Sequence, residues 1–507
     1  MDPTRLAPSN RAALLVLAAI ELVVLSSVWP RFWSPNEFSR VFAAHAFATR
    51  GEWEIDRELA RFGFIDDVSV VDGRHYSNKA PGLIWAAVPV VAAVSAVAPS
   101  ASIRTELFVS RVVLVSASAM LTAILLGLWV ARRSEGALGA DEAVFILLFA
   151  SVFAVYAGTF FSHVWAASLL FAAAYLLLGP NARPGWGTDL AAGFCVTFAA
   201  VSEYPAALVG GAVLAAGCWG RWRRFPRVLA GAAAPLAGLG VYNHACFGSM
   251  WALSSRFEAM PRYRELAEQT LFGFSPPTIT GLVGLLASPL VGLFFLFPVL
   301  APALVAPVSV WRRGDRRLAV LLGTAVWVLP LVMSGYREWA GGASFGPRYL
   351  VLAVPLVVLG LATLPGRAAR LWVLAAVIPS ALVALLGRVT PPFAIDDVWT
   401  ASTLRGWTLP ALSHGLWNVP LATSSRTSSV VGLAVVFLVW WLALRLGLAE
   451  GRRRPRPARR LMVLALACVL LFLQLAVGRV TGRQRAWFRS VAPSFTVTAD
   501  PQVSLKK

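Results

Sequence analysis

Charge is what this chain most lacks. Of its 507 residues only 14% are charged while 58% are hydrophobic, and mean hydropathy is +0.69. A soluble domain carries about a quarter charged residues, so a water-solvated globule of this length is excluded. Acids are scarcer than bases, 25 against 45, for a net charge of +20. Cysteine is nearly absent. Cys195, Cys218 and Cys468 lie in apolar runs and Cys246 near the end of one, with no pair at metal-ligand spacing, which argues against a zinc site or a disulfide framework. There is no internal repeat and no low-complexity tract beyond Arg452 to Arg460. Arg5 and Arg11 precede the first apolar run, but no small-residue cleavage site follows it, so an uncleaved first span is expected rather than a signal peptide.

Apolar sequence, by contrast, is abundant and comes in pieces of membrane-crossing length, about 17 to 25 residues. The runs fall near 12–29, 107–131, 140–158, 163–179, 187–203, 205–219, 228–246, 291–310, 318–334, 349–364, 370–387, 429–447 and 461–478. Backbone polar groups have no water to bond with in lipid, so such runs become helices. The expected fold is an all-α polytopic membrane protein. Pro81, Pro205, Pro276-Pro277, Pro289 and Pro391-Pro392 flank the runs, where a missing N–H is tolerated.

The net charge could suggest nucleic acid, but its distribution argues otherwise. Basic residues sit in short clusters between the apolar runs: Arg132-Arg133, Arg221 to Arg227, Arg312 to Arg317, Arg367 with Arg370, and Arg452 to Arg460. That is the positive-inside pattern of cytoplasmic loops, and no interleaved aromatic or folded basic module accompanies it. With the N-terminus cytoplasmic, all these clusters become cytoplasmic only if the further run 81–98 does not fully cross. That run is therefore expected to be interfacial or re-entrant. About thirteen spans follow, over residues 1–478, with external loops at 30–106, 247–290, 335–348 and 388–428 and a short external tail, 479–507.

The chemistry concentrates in those loops. The first holds Glu37, Arg40, His45, a Glu52 to Glu58 stretch, Asp66, Asp67, Tyr76 and Lys79. Most have an ordinary reading beside a functional one. Glu37 and Arg40 stand three apart and could pair on a helix. Glu52 to Glu58 reads as a solvated helical face, Asp72-Gly73 as a turn, and Lys79 as a snorkelling interfacial lysine. In later loops, His163 reads as a helix cap or as a metal or sugar ligand, and Arg348 as an interfacial anchor or a phosphate fork. Glu203 with Tyr204 marks an ionisable group at a helix end, a functional position by default in a membrane. Arg256, Glu258, Arg262, Tyr263, Arg264 and Glu265 form either a substrate rim or a solvated face.

Asn36-Glu37 with Arg40, followed some forty residues later by Tyr76-Ser-Asn-Lys-Ala-Pro-Gly82, resembles the first external loop of polyprenyl-phosphate-dependent GT-C glycosyltransferases. That family includes the protein O-mannosyltransferases and the lipid A aminoarabinose transferases. Trp339-Ala-Gly-Gly with Phe345-Gly-Pro-Arg-Tyr349 is similar to a segment of its bacterial members. So are Ser202-Glu-Tyr-Pro205, Tyr242-Asn243 with Phe247-Gly-Ser249, and Ser288-Pro289 with Gly292-Leu-Phe294. The resemblance spans roughly residues 10 to 365 and rests on the order and spacing of these motifs together. It implies a GT-C fold with a long first external loop and juxtamembrane helices. It also implies an inverting transfer of sugar from a polyprenyl-phosphate carrier to a glycolipid, polysaccharide or protein hydroxyl outside the plasma membrane.

The resemblance implies roles as well. Glu37 would be the base, with Asp66 and Asp67 as substitutes because Asn36 stands where the family has its first acid. Lys79, Arg348 and Tyr76 would bind the carrier phosphate. His163, Glu203, Tyr204 and Arg256 would meet sugar or acceptor. The chemistry needs a carboxylate for the acceptor proton and cations for the departing phosphate. A monophosphate leaving group does not require a metal, though a divalent ion is compatible with it. Two other readings stand beside this one: a lipid-diphosphate-dependent polysaccharide polymerase or ligase, and a lipid-linked sugar flippase without chemistry. The flippase predicts buried ions within spans and an inverted repeat, whereas the spans here read as nearly free of ions.

Overall fold

The computed structural model describes residues 10–26, 34–133, 136–270, 273–342, 344–390, 397–414, 416, 426–448 and 457–490. Parts of loop 388–428 (391–396, 415 and 417–425) and the end of the tail therefore lie outside the described residues. Apolar helices dominate, as a polytopic membrane protein requires. Among the described residues, four are long and apolar enough to cross a membrane: Ile103–Ala131, Arg316–Met333, Arg367–Val389 and Arg459–Ala476. Six shorter apolar helices accompany them, Gly82–Val97 in the ambiguous run among them. Among the described residues, the sheet content is a single two-stranded hairpin, Val68–Val71 with Arg74–Ser77. Its turn is Asp72-Gly73, with φ of 50° and 79°, the pair of positive values that closes a two-residue type I′ hairpin.

The helices run between two chemically different ends. At one end the basic loops meet. Arg133 reaches Asp315 at 3.5 Å, Arg313 donates to the Thr363 carbonyl, and Arg370 pairs with Glu142 and donates to the Ala137 carbonyl. Arg11 joins this end through Asp141 at 3.3 Å. At the other end are the start of Ser162–Leu178, the end of Trp186–Ser202, the end of Arg316–Met333 and the start of the helical segment Arg348–Thr363. Clusters that lie far apart in sequence thus share one face of the bundle, and polar segments share the opposite one.

Packing is close where glycines allow it. A Cβ on Gly193 would sit 1.9 Å from the Val228 carbonyl oxygen, and one on Gly231 would sit 2.1 Å from that of Leu190. Helices Trp186–Ser202 and Phe225–Phe247 therefore cross backbone to backbone, as small residues permit in membranes. A Gly193→Val variant should lose about 1–3 kcal/mol by overpacking, read as an earlier thermal transition of the detergent-solubilised protein.

Charges are buried in this bundle, a departure from the expectation of nearly ion-free spans. Glu21 lies within the first apolar helix and accepts from Arg388 and, at 3.2 Å, from the Trp440 indole. Asp189 is fully buried against Arg224 at 2.7 Å. Each acid stands against an arginine on a distant segment, so these pairs join helices. A second departure concerns Glu58, which is 2% exposed and holds Arg50 through both carboxylate oxygens. The Glu52 to Glu58 stretch is not one solvated helix face. The helix begins at Asp56, and Glu54 bridges to Tyr76.

Candidate active site

The site is assembled on the helix Pro35–Arg50, which Pro35 starts at its first turn. Asn36 and Arg40 are four apart and so share a face. Arg40 donates to the Asn36 carbonyl at 2.7 Å and to its side-chain oxygen, and across to Ser162 Oγ at 3.0 Å. Glu37, one residue round, faces away from that surface. It pairs with Arg111 rather than Arg40: the Arg111 Nε and Nη2 donate to its two oxygens at 2.9 and 2.6 Å. The Phe160 N–H donates to it as well. Arg111 opens a π-helical turn, 111–116, within the long helix Ile103–Ala131, a local widening often found where a side chain must be re-aimed.

The hairpin is tied to the same helix by Ser39 and Ser77, whose hydroxyls lie 2.8 Å apart. It leads directly into Asn78 and Lys79. Lys79 Nζ stands 2.8 Å from Asp67 on the other side of the hairpin. Burial works against ionisation of Asp67, but Lys79 and Asn78 outweigh it and hold the carboxyl below its ordinary range. The chain then turns into Gly82–Val97. A Cβ at Gly82 would fall 2.2 Å from Ser202 Oγ, so this glycine lets the new helix abut the end of Trp186–Ser202, beside Glu203.

These elements enclose a cavity of about 480 Å³. Three cations reach it: Arg40, Lys79 and Arg348. Arg348 donates to the Tyr349 hydroxyl at 2.9 Å, with its guanidinium 4.9 Å from that ring's centre. Among the described residues, neither Arg40 nor Arg348 has a carboxylate within 4 Å, unlike the arginines that join the helices. Glu203 lines the cavity next to His163, at 3.1 Å, and accepts from Ser162. Tyr204, Tyr336 and Glu258 complete the polar wall. Leu208, Leu253, Phe274, Val332 and Met333 supply an apolar flank. Cations facing a concave, partly apolar pocket at the edge of a helical bundle can hold an anionic head whose tail lies in lipid.

Of the residues singled out in the sequence, Lys79, His163, Glu203, Tyr204 and Arg348 line this cavity. Asp67 stands one contact behind the wall, on Lys79. Glu37, Asp66, Tyr76 and Arg256 are outside the lining. Asp66 and Arg256 are exposed, and Tyr76 packs edge-on to Phe247 at 6.0 Å. Sequence reading overlooked Asn36 and Asn78 as wall residues, took Arg40 only as part of the motif with Asn36-Glu37, and took Glu258 only as a member of a charged run. The spacing of Asn36 and Arg40 carried a usable signal. The meeting of Asn78 with Glu258, 180 residues on, carried none. Among the described residues, no group of three or more His, Cys, Asp or Glu could hold a metal ion.

No family model matches the chain, and no curated protein matches it. Among solved structures, it is similar to ArnT from Cupriavidus metallidurans bound to undecaprenyl phosphate, with a TM-score of 0.46 and 14% identity over 98% of this chain and 82% of that one. It is also similar to an Archaeoglobus fulgidus oligosaccharyltransferase in complex with zinc and sulfate, with a TM-score of 0.41 and 12% identity over 76% of this chain and 54% of that one.

Proposed function

We propose that this protein is a membrane glycosyltransferase of the GT-C kind that takes a sugar from a polyprenyl monophosphate and inverts its anomeric centre onto an acceptor hydroxyl. The observation that carries this reading is the convergence of Arg40, Lys79 and Arg348 on one cavity, two of them with no carboxylate partner among the described residues. Fixed cations aimed where charge develops stabilise a departing phosphate, and guanidinium forks suit its oxygens. Asp67 keeps the Lys79 ammonium aimed while sharing its charge. Glu203, Tyr204 and His163 would meet the hydroxyls of the sugar or acceptor. Glu37, with Arg111, would anchor the helix that carries Arg40. Asp66, Tyr76 and Arg256 would act at the rim.

The proposal extends to topology. About thirteen spans, with the arginine-rich end cytoplasmic under the positive-inside rule, would put the cavity on the external side, where a lipid carrier presents its sugar. Divalent metal is not needed by this scheme. The acceptor could be a glycan, lipid or protein hydroxyl.

The test is transfer by purified protein in lipid nanodiscs from radiolabelled undecaprenyl-phosphate glucose, mannose and galactose, together with binding of undecaprenyl phosphate itself. Lys79→Ala should cut kcat/KM about 10²-fold, in the range for losing one oxyanion-stabilising donor. Wild-type protein that neither binds the carrier nor releases sugar from it would refute the reading. A flippase would bind the same lipid and leave its sugar bond intact.

A further inference from the structure

The loop after Phe225–Phe247 returns to the first external loop and adds a third, short edge to the hairpin. Ser69 pairs with Glu258 in an isolated antiparallel bridge, and the Ala259 N–H donates to the Val68 carbonyl at 2.9 Å. Ser69 Oγ donates to the Ser254 carbonyl at 2.9 Å, and Ser254 Oγ to the Asn78 carbonyl at 2.8 Å. Ser69 and Ser254 are both buried. This lacing fixes residues 254–259 against the segment that ends in Lys79.

One consequence is the placement of Glu258. Its carboxylate lines the cavity, and both of its oxygens lie within hydrogen-bonding reach of Asn78 Nδ2, at 3.1 and 2.9 Å. Among the described residues no cation lies within 4 Å of it, whereas Asp67 is engaged by Lys79 and Glu37 by Arg111. Among the acids named here as candidates for the proton, Glu258 is the one that faces the cavity without a paired cation or an adjacent imidazole.

We propose that Glu258 is the carboxylate that accepts the acceptor's hydroxyl proton, with Asn78 as the residue that positions it. This rests on the glycosyltransferase reading above. In the step, the acceptor oxygen bonds to the anomeric carbon as that carbon's bond to the phosphate oxygen breaks. The bonding pair leaves with the phosphate, held by the cations, and the hydroxyl proton moves to Glu258 and from there to solvent. Burial pushes the Glu258 carboxyl up to about 7, against the pull of Lys79 and Asn78 and with help from Asp67 and Asp66. A base poised near the working pH is the favourable case. Arg40, Arg348, Glu203, His163, Tyr204, Tyr336 and Tyr349 are the other charged or titratable groups on the cavity wall.

The sign of the pH effect follows. Below about 7 the carboxyl holds its proton and cannot accept another, so kcat/KM should rise with pH through that value. Glu258→Gln should lower transfer about 10²–10⁴-fold and remove that acid limb from the residual rate. It should bind undecaprenyl phosphate at least as tightly as wild type, because a negative charge near Lys79 is gone. Glu258→Asp should recover part of the rate and keep the limb. Asn78→Ala should lower kcat more than it raises KM and shift the limb. A monodisperse Glu258→Gln protein that transfers within a few-fold of wild type would overturn the proposal while leaving the glycosyltransferase reading intact. A wild type that neither binds undecaprenyl phosphate nor releases sugar from any of the three labelled donors would overturn both.

Discussion

Arg348→Ala should abolish high-affinity binding of undecaprenyl phosphate, weakening it about 10²-fold and lowering kcat/KM by about 10²–10³-fold. Arg348 is held from the side by the Tyr349 ring and hydroxyl, which pre-orders the guanidinium and leaves its remaining N–H groups for a ligand. Its Nε is buried and makes no hydrogen bond to any described residue. A buried donor left in that state costs about 1–3 kcal/mol, a cost that a bound phosphate oxygen relieves. Arg348→Lys should restore only part of the affinity, since an ammonium supplies the charge without the planar fork. Because no acid is stranded by the change, thermal stability should move little. Unchanged carrier affinity, measured by native mass spectrometry or by competition with labelled lipid, would remove Arg348 from the phosphate site.

The second large effect should fall on stability. Glu37→Gln takes the Glu37 carboxylate away from the Arg111 guanidinium, which is 5% exposed. Removing one partner of a buried ion pair costs about 3–5 kcal/mol. Glu37→Gln and Arg111→Gln should each lower the thermal transition sharply and reduce the yield of monodisperse protein. The double variant should recover much of that loss, because it no longer buries a charge whose carboxylate has been removed. If Glu37 instead took the acceptor proton, Glu37→Gln would be as stable as wild type and inactive, and the double variant would rescue nothing. Detergent-solubilised melting of the three variants, read beside their transfer rates, separates the two roles.

Much of the architecture was legible in the chain. Apolar runs of membrane length must become helices because lipid offers backbone groups no other partner. Asp72-Gly73 closes its hairpin as its residue types require. The polar residues Lys79, Glu203 and Arg348 stood out because each stands at the edge of an apolar run and carries a charge that lipid penalises. Glu37 shows the limit of that reasoning. Its spacing to Arg40 suggested a local pair, yet the helix turns it by about 100° from Asn36, toward an arginine 74 residues away. Glu258 shows the same limit from the other side. Within its own loop it is one charge among several, and it becomes distinctive only where Ser69 and Asn78 receive it.

The sequence by itself determined the solvent of this protein, its helical content and the division of its loops into a basic set and a polar set. These follow from composition and period, which act locally along the chain. Only the tertiary structure decided which acids are neutralised and which face the cavity. Arg111, Lys79 and Arg224 each claim a carboxylate within 2.8 Å, while Arg40 and Arg348 line the cavity with no carboxylate within 4 Å among the described residues. Electrostatic pairing depends on distance through space and on burial, and neither is written in the order of residues.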